Sequence, residues 1–300
     1  MTRSRRVLKW IGIVLGGLVA VLAVAFAVLY VAGGAKFNKA YTVPVESITV
    51  PTDAAAVQRG EHLAVINICT RCHGQDLSGN LDFDIPGLVT IPTPNLTAGA
   101  GGIGSSYTDA DWVRAIRHGV GHDGRGLFIM PSQAFHFLSD EDLGAVIAYV
   151  RSRPAVDNPL PPRSIGPLGR VMGAVGMFPP PAAEQIDQSG PRPAAPPRGV
   201  TAAYGGYLTR TCTECHGANL NGAPFGPPGQ QVPTPNLTRG GELGGWSEQD
   251  FFTTMRTGLT PKGHQLDQEM PWPYYGQMTD DELRAIWLYL QSLPALNPGG

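Results

Sequence analysis

The chain has 300 residues and 31.8 kDa, with 39 Gly, 28 Pro, four Cys, 42% hydrophobic residues and a net charge of −2. That length suits about two domains, the Gly and Pro excess predicts a loop-rich chain, and the apolar content is too high for simple disorder. Four cysteines exclude a disulfide scaffold, and a near-neutral balance excludes nucleic acid as a partner, because phosphate binding needs clustered Lys and Arg. In chain order, residues 1–9 come first, a basic tip with four positive charges and no acid. An uncharged run of 26 residues follows from Trp10 to Ala35, dominated by Val, Leu, Ala and Ile. About 20 residues at 1.5 Å rise cross a hydrocarbon core, and Trp10 and Tyr30 sit near the ends, where interfacial aromatics belong. Residues 10–35 therefore read as an uncleaved transmembrane signal anchor. The competing reading is a cleaved signal peptide, whose apolar region spans about 7–15 residues; the small residues Ala32, Gly33 and Gly34 keep cleavage open. Both readings keep the basic tip cytoplasmic and export the remainder, which carries −6 once the four basic residues are set aside from −2.

The exported part repeats itself. Ile91–Thr97 (IPTPNLT) returns as Val232–Thr238 (VPTPNLT), 141 positions later, and Cys69-Thr70-Arg71-Cys72-His73 returns as Cys212-Thr213-Glu214-Cys215-His216, 143 later. Tyr107–Val120 matches Trp246–Leu259 at 139, and Ser139–Ala155 matches Thr279–Ala295 at 140. A nearly constant offset through four blocks in one order means duplication, so residues 50–155 and 200–296 read as two tandem domains. The segment 156–199 between them contains Pro161-Pro162, Pro179-Pro180-Pro181 and Pro196-Pro197, and reads as a semi-rigid, polyproline-like linker. Its apolar middle, Ile165 to Phe178, fits a short helix that lies on a domain, on a partner or at the membrane.

Within each unit the last helix has the clearest signals. Ser139 and Thr279 are N-cap candidates, with Asp142 and Glu282 three residues on. Leu143, Val146, Ile147 and Val150 fall at i, i+3, i+4, i+7, as do Leu283, Ile286, Trp287 and Leu290. Another helix starts near Asp109 or Ser247, with Trp112, Val113 and Ile116 or Phe251, Phe252 and Met255 facing inward. A third precedes each cysteine pair, around 57–68 and 203–211. The intervening Gly/Pro loops have no sustained period of two. Each unit is all-α.

All four cysteines lie in two Cys-x-x-Cys-His elements. This spacing suits covalent haem attachment, in which two thiols add to the haem vinyls and the adjacent His ligates iron. A thioredoxin-like redox pair or half a zinc site leaves unexplained why a histidine follows both pairs. Two haem c groups are expected, on Cys69, Cys72 and His73 and on Cys212, Cys215 and His216. Met130 and Met270, each followed by Pro and each shortly before the last helix, are the sixth-ligand candidates; thioether ligation raises the reduction potential. Core filling is the ordinary role of a methionine, but the matched positions argue for ligation. Met278 competes with Met270, and Met255 reads as core. His62, His118, His122, His136 and His264 lack counterparts in the other half and are expected on the surface or in loops.

On CTRCHG and CTECHG, the PTPNLT loops, GGIGSSYTDADWVRAIRHGV, the two Met-Pro pairs and SDEDL…YVRSRP, each half resembles a class I cytochrome c domain. The whole is similar to membrane-anchored dihaem and trihaem cytochromes related to the cytochrome subunits of bacterial alcohol and gluconate dehydrogenases. Relatives of that kind often have three haems, whereas two motifs stand here. The resemblance covers residues 50–155 and 200–296, and implies electron transfer between a membrane or periplasmic donor and an acceptor, without chemistry on an organic substrate. It also implies that the PTPNLT loop crosses beside the ligating His, with Pro92 or Pro94 and Pro233 or Pro235 offering a carbonyl to Nδ1–H. Asn95 and Asn236 stand in glycosylation sequons, but their repeated position favours a pocket loop. Arg117, Arg256, Trp112 and Trp272 are candidates for haem edges or propionates, with surface or core roles as the alternative.

The expectation is an electron carrier, single-pass in the cytoplasmic membrane with both haem domains on the periplasmic or extracytoplasmic side. Its partners would be redox proteins: a dehydrogenase, a quinol-oxidising complex, an oxidase or a soluble cytochrome. The alternative is a dihaem peroxidase, which needs one iron with an open face; two equivalent Met candidates count against it. A haem-based sensor would need an output domain, and nothing resembling one follows Pro294.

Overall fold

A computed structural model describes residues 3–44, 46–226 and 229–299. Helix α1 (Arg3–Phe37) is the one helix among the described residues long and apolar enough to cross a membrane. Val7, Leu15, Val19, Val24 and Val31 along it are exposed, as a lipid-facing helix requires. The first repeat follows as α2 (Ala54–Ile66), α3 (Cys69–His73), α4 (Asp109–His118), α5 (Ser132–Phe135) and α6 (Asp140–Ser152). Two short helices, α7 (Pro167–Ala174) and α8 (Ala182–Gln185), occupy the connecting segment. The second repeat comprises α9 (Ala202–Leu208), a 3-10 turn over Thr209–Cys212, α10 (Thr213–His216), α11 (Glu248–Thr257), α12 (Trp272–Tyr275) and α13 (Asp280–Ser292). The all-α expectation holds; strands are two residues long, β1 (Asp84–Ile85), β2 (Val89–Thr90) and β3 (Ser164–Ile165) in one antiparallel sheet and β4 (Pro224–Phe225) with β5 (Val232–Pro233) in another.

Local chemistry sets the helix boundaries. Thr108 and Ser247 close reciprocal capping boxes with Asp111 and Asp250, and Gly119 and Gly258 end α4 and α11 in the left-handed conformation. In each repeat the first and last helices cross at a glycine. A Cβ on Gly60 would lie 1.9 Å from the Ala145 carbonyl oxygen, and one on Gly205 would lie 1.9 Å from that of Ala285. Any side chain there would push the two backbones apart.

The two repeats share one apolar core, in which Leu63, Ile66 and Leu138 of the first come together with Tyr207, Leu208 and Met278 of the second. A polar network runs beside it. Arg59 on α2 donates to Asp142 at the start of α6 (3.2 Å), to Glu282 at the start of α13 (3.2 Å) and to the Tyr204 hydroxyl on α9 (3.0 Å). His62 Nε2 meets Glu282 Oε2 at 2.6 Å, and the Tyr207 hydroxyl donates to Asp142 at 2.9 Å. Because Gly60 and Gly205 are equivalent, Arg59 and His62 stand where the second repeat has Tyr204 and Tyr207. The interface is therefore a pseudo-two-fold, with an arginine and a histidine on one side answered by a tyrosine pair on the other. At α13 the capping box is complete, Thr279 N–H donating to Glu282. At α6 the Ser139 N–H donates instead to the Tyr207 hydroxyl, which leaves the Asp142 carboxylate for Arg59.

The connecting segment is less of a spacer than its prolines predict. β3 pairs with β2, α7 packs along the end of α1, and Ala182, Ala183 and Ile186 are buried. Apolar side chains interspersed among the prolines hold it onto the first repeat.

Candidate functional site

Each Cys-x-x-Cys-His element forms a short helix ending on a histidine, α3 and α10, that is stopped by Gly74 or Gly217 at positive φ. The geometry is the same in both. His73 Nδ1–H donates to the Pro94 carbonyl at 3.0 Å, and His216 Nδ1–H donates to the Pro235 carbonyl at 2.8 Å. A carbonyl can only accept, so Nδ1 carries the proton and Nε2 keeps its lone pair. Both rings are buried, and burial lowers their pKa, opposed by the proline hydrogen bond. A neutral imidazole with Nε2 bare is the form that ligates a metal.

The loop bearing those prolines is held from both sides. Beneath it, Gly79 N–H donates to the His73 carbonyl and Gly222 N–H to that of His216, and Leu96 and Leu237 donate to the carbonyls of Leu77 and Leu220. Leu77 and Leu220 sit at φ +61° and +56° with buried side chains, a conformation disfavoured for leucine and kept here by packing. Above it, the Asn95 side chain donates to the Val156 carbonyl (2.8 Å) and accepts from Thr97; Asn236 does the same with Leu296 (2.8 Å) and Thr238. Asn95 is 0% and Asn236 7% exposed. These asparagines staple the loop to the segment after the last helix, and burial removes them as glycosylation acceptors.

All four cysteines are free. Burial pushes the Cys69 and Cys212 thiols up to about 12 and the Cys215 thiol to about 11, the opposite of the low pKa a reactive redox pair requires. Among the described residues no cluster of three or more His, Cys, Asp or Glu is placed to hold a metal ion.

Met130 and Met270 are half-buried against the core, each just before a Pro that leads into α5 or α12. Met278, the competitor for Met270, occupies the position of Leu138 and is buried in the interface beside Leu63, Ile66 and Tyr207. Met255 packs against the core on α11. Arg117 takes the core alternative and Arg256 the surface one. Arg117 is 0% exposed, pairs with Glu46 and Asp140 and donates to the Leu138 carbonyl; Arg256 donates to the Gly276 carbonyl and pairs with Asp280 at 2.7 Å. Both tie the amphipathic helix to the start of the last one.

The surface-or-loop expectation for the unmatched histidines needs correction at two positions. His62 lies in the interface network, and His118 is buried with Nδ1 on Gln188 Oε1 at 2.7 Å; His136 is half-buried in the turn after α5, where its Nδ1–H donates to the Arg117 carbonyl at 3.0 Å. Their partners come from distant segments, which a comparison of the two halves does not reveal. His122 is exposed, beside Asp111 at 3.2 Å.

The residues fit the haem that the motif implies. Two thiols and an imidazole with its lone pair available stand together in each element, Cys212 closing the 3-10 turn just before α10. The indole Nε1–H groups of Trp112 and Trp272 are buried with no acceptor among the described residues; an indole N–H is a donor only, and an anionic group such as a haem propionate would satisfy it.

The cytochrome c family model matches residues 57–154 and 202–294. The chain is 29% identical, over 84% of its length and 56% of the relative's, to the fructose dehydrogenase cytochrome subunit of Gluconobacter japonicus. It is 30% identical to the cytochrome c subunit of the quinone alcohol dehydrogenase of Gluconobacter oxydans (strain 621H), over 82% and 56%. To the gluconate 2-dehydrogenase cytochrome c subunit of Pantoea cypripedii it is 30% identical, over 80% and 60%. The chain spans a little over half the length of these curated relatives.

Proposed function

The chain belongs to the cytochrome c family, and from that premise we propose that it is the electron-transfer subunit of a membrane-bound dehydrogenase, relaying single electrons through two covalently attached haems. The observation that carries the reading is the repeated histidine geometry, Nδ1–H on a proline carbonyl and Nε2 unprotonated, in a chain similar to dehydrogenase cytochrome subunits. Bound haem supplies a one-electron iron centre. The chain does the rest. Cys69 and Cys72, with Cys212 and Cys215, would provide the thioether attachments. His73 and His216 would offer the iron an imidazole nitrogen, made more basic by Pro94 and Pro235. Met130 and Met270 would offer it a thioether, which would raise its reduction potential.

Relay between the two sites is supported by how the repeats meet. Gln133, in the turn after Met130, donates to Glu214 inside the second Cys-x-x-Cys-His element at 3.0 Å. Across the pseudo-two-fold, Arg71 inside the first element lines a cleft with Pro271, Pro273 and Tyr274, the turn after Met270. Each Met-Pro turn thus abuts the other repeat's attachment helix. Helix α1 anchors the chain in the cytoplasmic membrane, with the basic tip inside and both repeats outside. The partner that donates electrons is a dehydrogenase. Purification from membranes in mild detergent tests this: a stoichiometric flavin-, quinone- or metal-containing subunit is the expected companion. A chain that purifies alone and turns over peroxide would contradict it.

A further inference from the structure

We infer that the connecting segment Pro167–Phe178 is a membrane-surface element, lying in the outer headgroup layer with Leu168, Val175 and Met177 inserted among the acyl chains. This rests on the reading of α1 as a membrane anchor. The 26-residue apolar run would be about 39 Å long as a helix, longer than a hydrocarbon core of about 30 Å. Its last turns therefore emerge into the headgroup layer, and α7 is fastened to those turns. A Cβ on Gly33 would lie 1.8 Å from the Arg170 carbonyl oxygen, and one on Gly173 would lie 2.4 Å from the Phe37 ring. The Lys36 ammonium donates to the Gly173 carbonyl at 3.1 Å, and the Arg170 guanidinium lies 4.7 Å from the Tyr30 ring centroid. Segment and anchor thus have one depth.

The unpartnered side of the segment suits lipid. Gly169 and Gly173 are buried, whereas Leu168 and Val175, seven residues apart and so on one helix face, are 57% and 56% exposed, and Met177 just beyond is 55% exposed. From Asn158 to Ala183 the sequence contains Arg163 and Arg170 and no acidic residue. Apolar side chains on one side with Arg170 and Lys36 at the level of Tyr30 match the acyl boundary and the lipid phosphates. A second attachment beside α1 would stop the repeats from swivelling on the anchor and hold one face of the first repeat toward the bilayer.

Nitroxide labels on the haem-loaded full chain in phosphatidylethanolamine/phosphatidylglycerol nanodiscs test this, at Leu168→Cys, Val175→Cys and Met177→Cys, with Val19→Cys in α1 and Leu288→Cys on α13 as references. The unsubstituted protein, its thiols bound to haem, should take no label. We expect oxygen accessibility to exceed that of a polar nickel complex at 168, 175 and 177, as at 19, with the order reversed at 288. Labels at the three positions that behave like 288 overturn the proposal while 19 keeps its lipid signature. Labels shielded from both reagents also overturn it, in favour of a protein covering the segment. A water-like signal at 19 would overturn the anchor reading itself, and the proposal with it.

Discussion

His73 and His216 owe their ligating form to one backbone oxygen each. The carbonyls of Pro94 and Pro235 fix the tautomer, and the Asn95 and Asn236 staples fix the carbonyls. The proposed ligand set was legible because each half of the sequence checks the other: Met130 and Met270 match, whereas Met278 matches a leucine. The asparagine staples were visible only as a repeated Asn-Leu-Thr, since their acceptors lie about 60 residues away. We expect Met270→Ala to lower one of two reduction potentials by on the order of 0.1 V and to remove one set of thioether-ligated spectral features. Met278→Leu, in the interface, should leave both potentials in place; the paired redox titrations distinguish the two methionines.

Helix positions followed from caps and periodicity, which are local, and the structure keeps them: α4, α6, α11 and α13 each begin at a residue whose side chain caps them. The crossing glycines were not legible, because the closeness of Gly60 to Ala145 and of Gly205 to Ala285 is a property of two helices together. These positions invert the usual rule. Replacing a helical Gly by Ala ordinarily gains up to about 1 kcal/mol, but here the added Cβ meets a carbonyl at 1.9 Å. Gly60→Ala and Gly205→Ala should each lose about 1–3 kcal/mol, seen as a lower Tm of the haem-loaded protein. An unchanged or higher Tm would show that the helices can separate without loss.

At the scale of the whole molecule the duplication hides its own joint. Arg59 and His62 face Glu282, while Tyr207 faces Asp142 and Tyr204 accepts from Arg59, so the two halves are complementary where a search for repeats looks for sameness. Burial alone would raise the Glu282 carboxyl; the His62 hydrogen bond and charge, with the Thr279 N–H and Arg59, outweigh it and bring the pKa from 4.5 to about 2. A carboxyl held low in the folded state stabilises it fully above the unfolded pKa and loses that contribution as pH falls toward the folded value. Glu282→Gln should therefore lose about 2 kcal/mol near neutrality, and the gap to the unsubstituted protein should narrow between pH 4.5 and 2 in parallel unfolding curves. Equal stabilities at pH 7 would show that the joint does not depend on this carboxylate. The central claim, two haems in one relay, is tested most directly by a spectroscopic redox titration with haem quantification on the purified chain. Two covalent haems per chain, both with histidine–methionine spectra and each titrating as a one-electron centre, are the predicted result; any other haem count, or a five-coordinate iron, would contradict it.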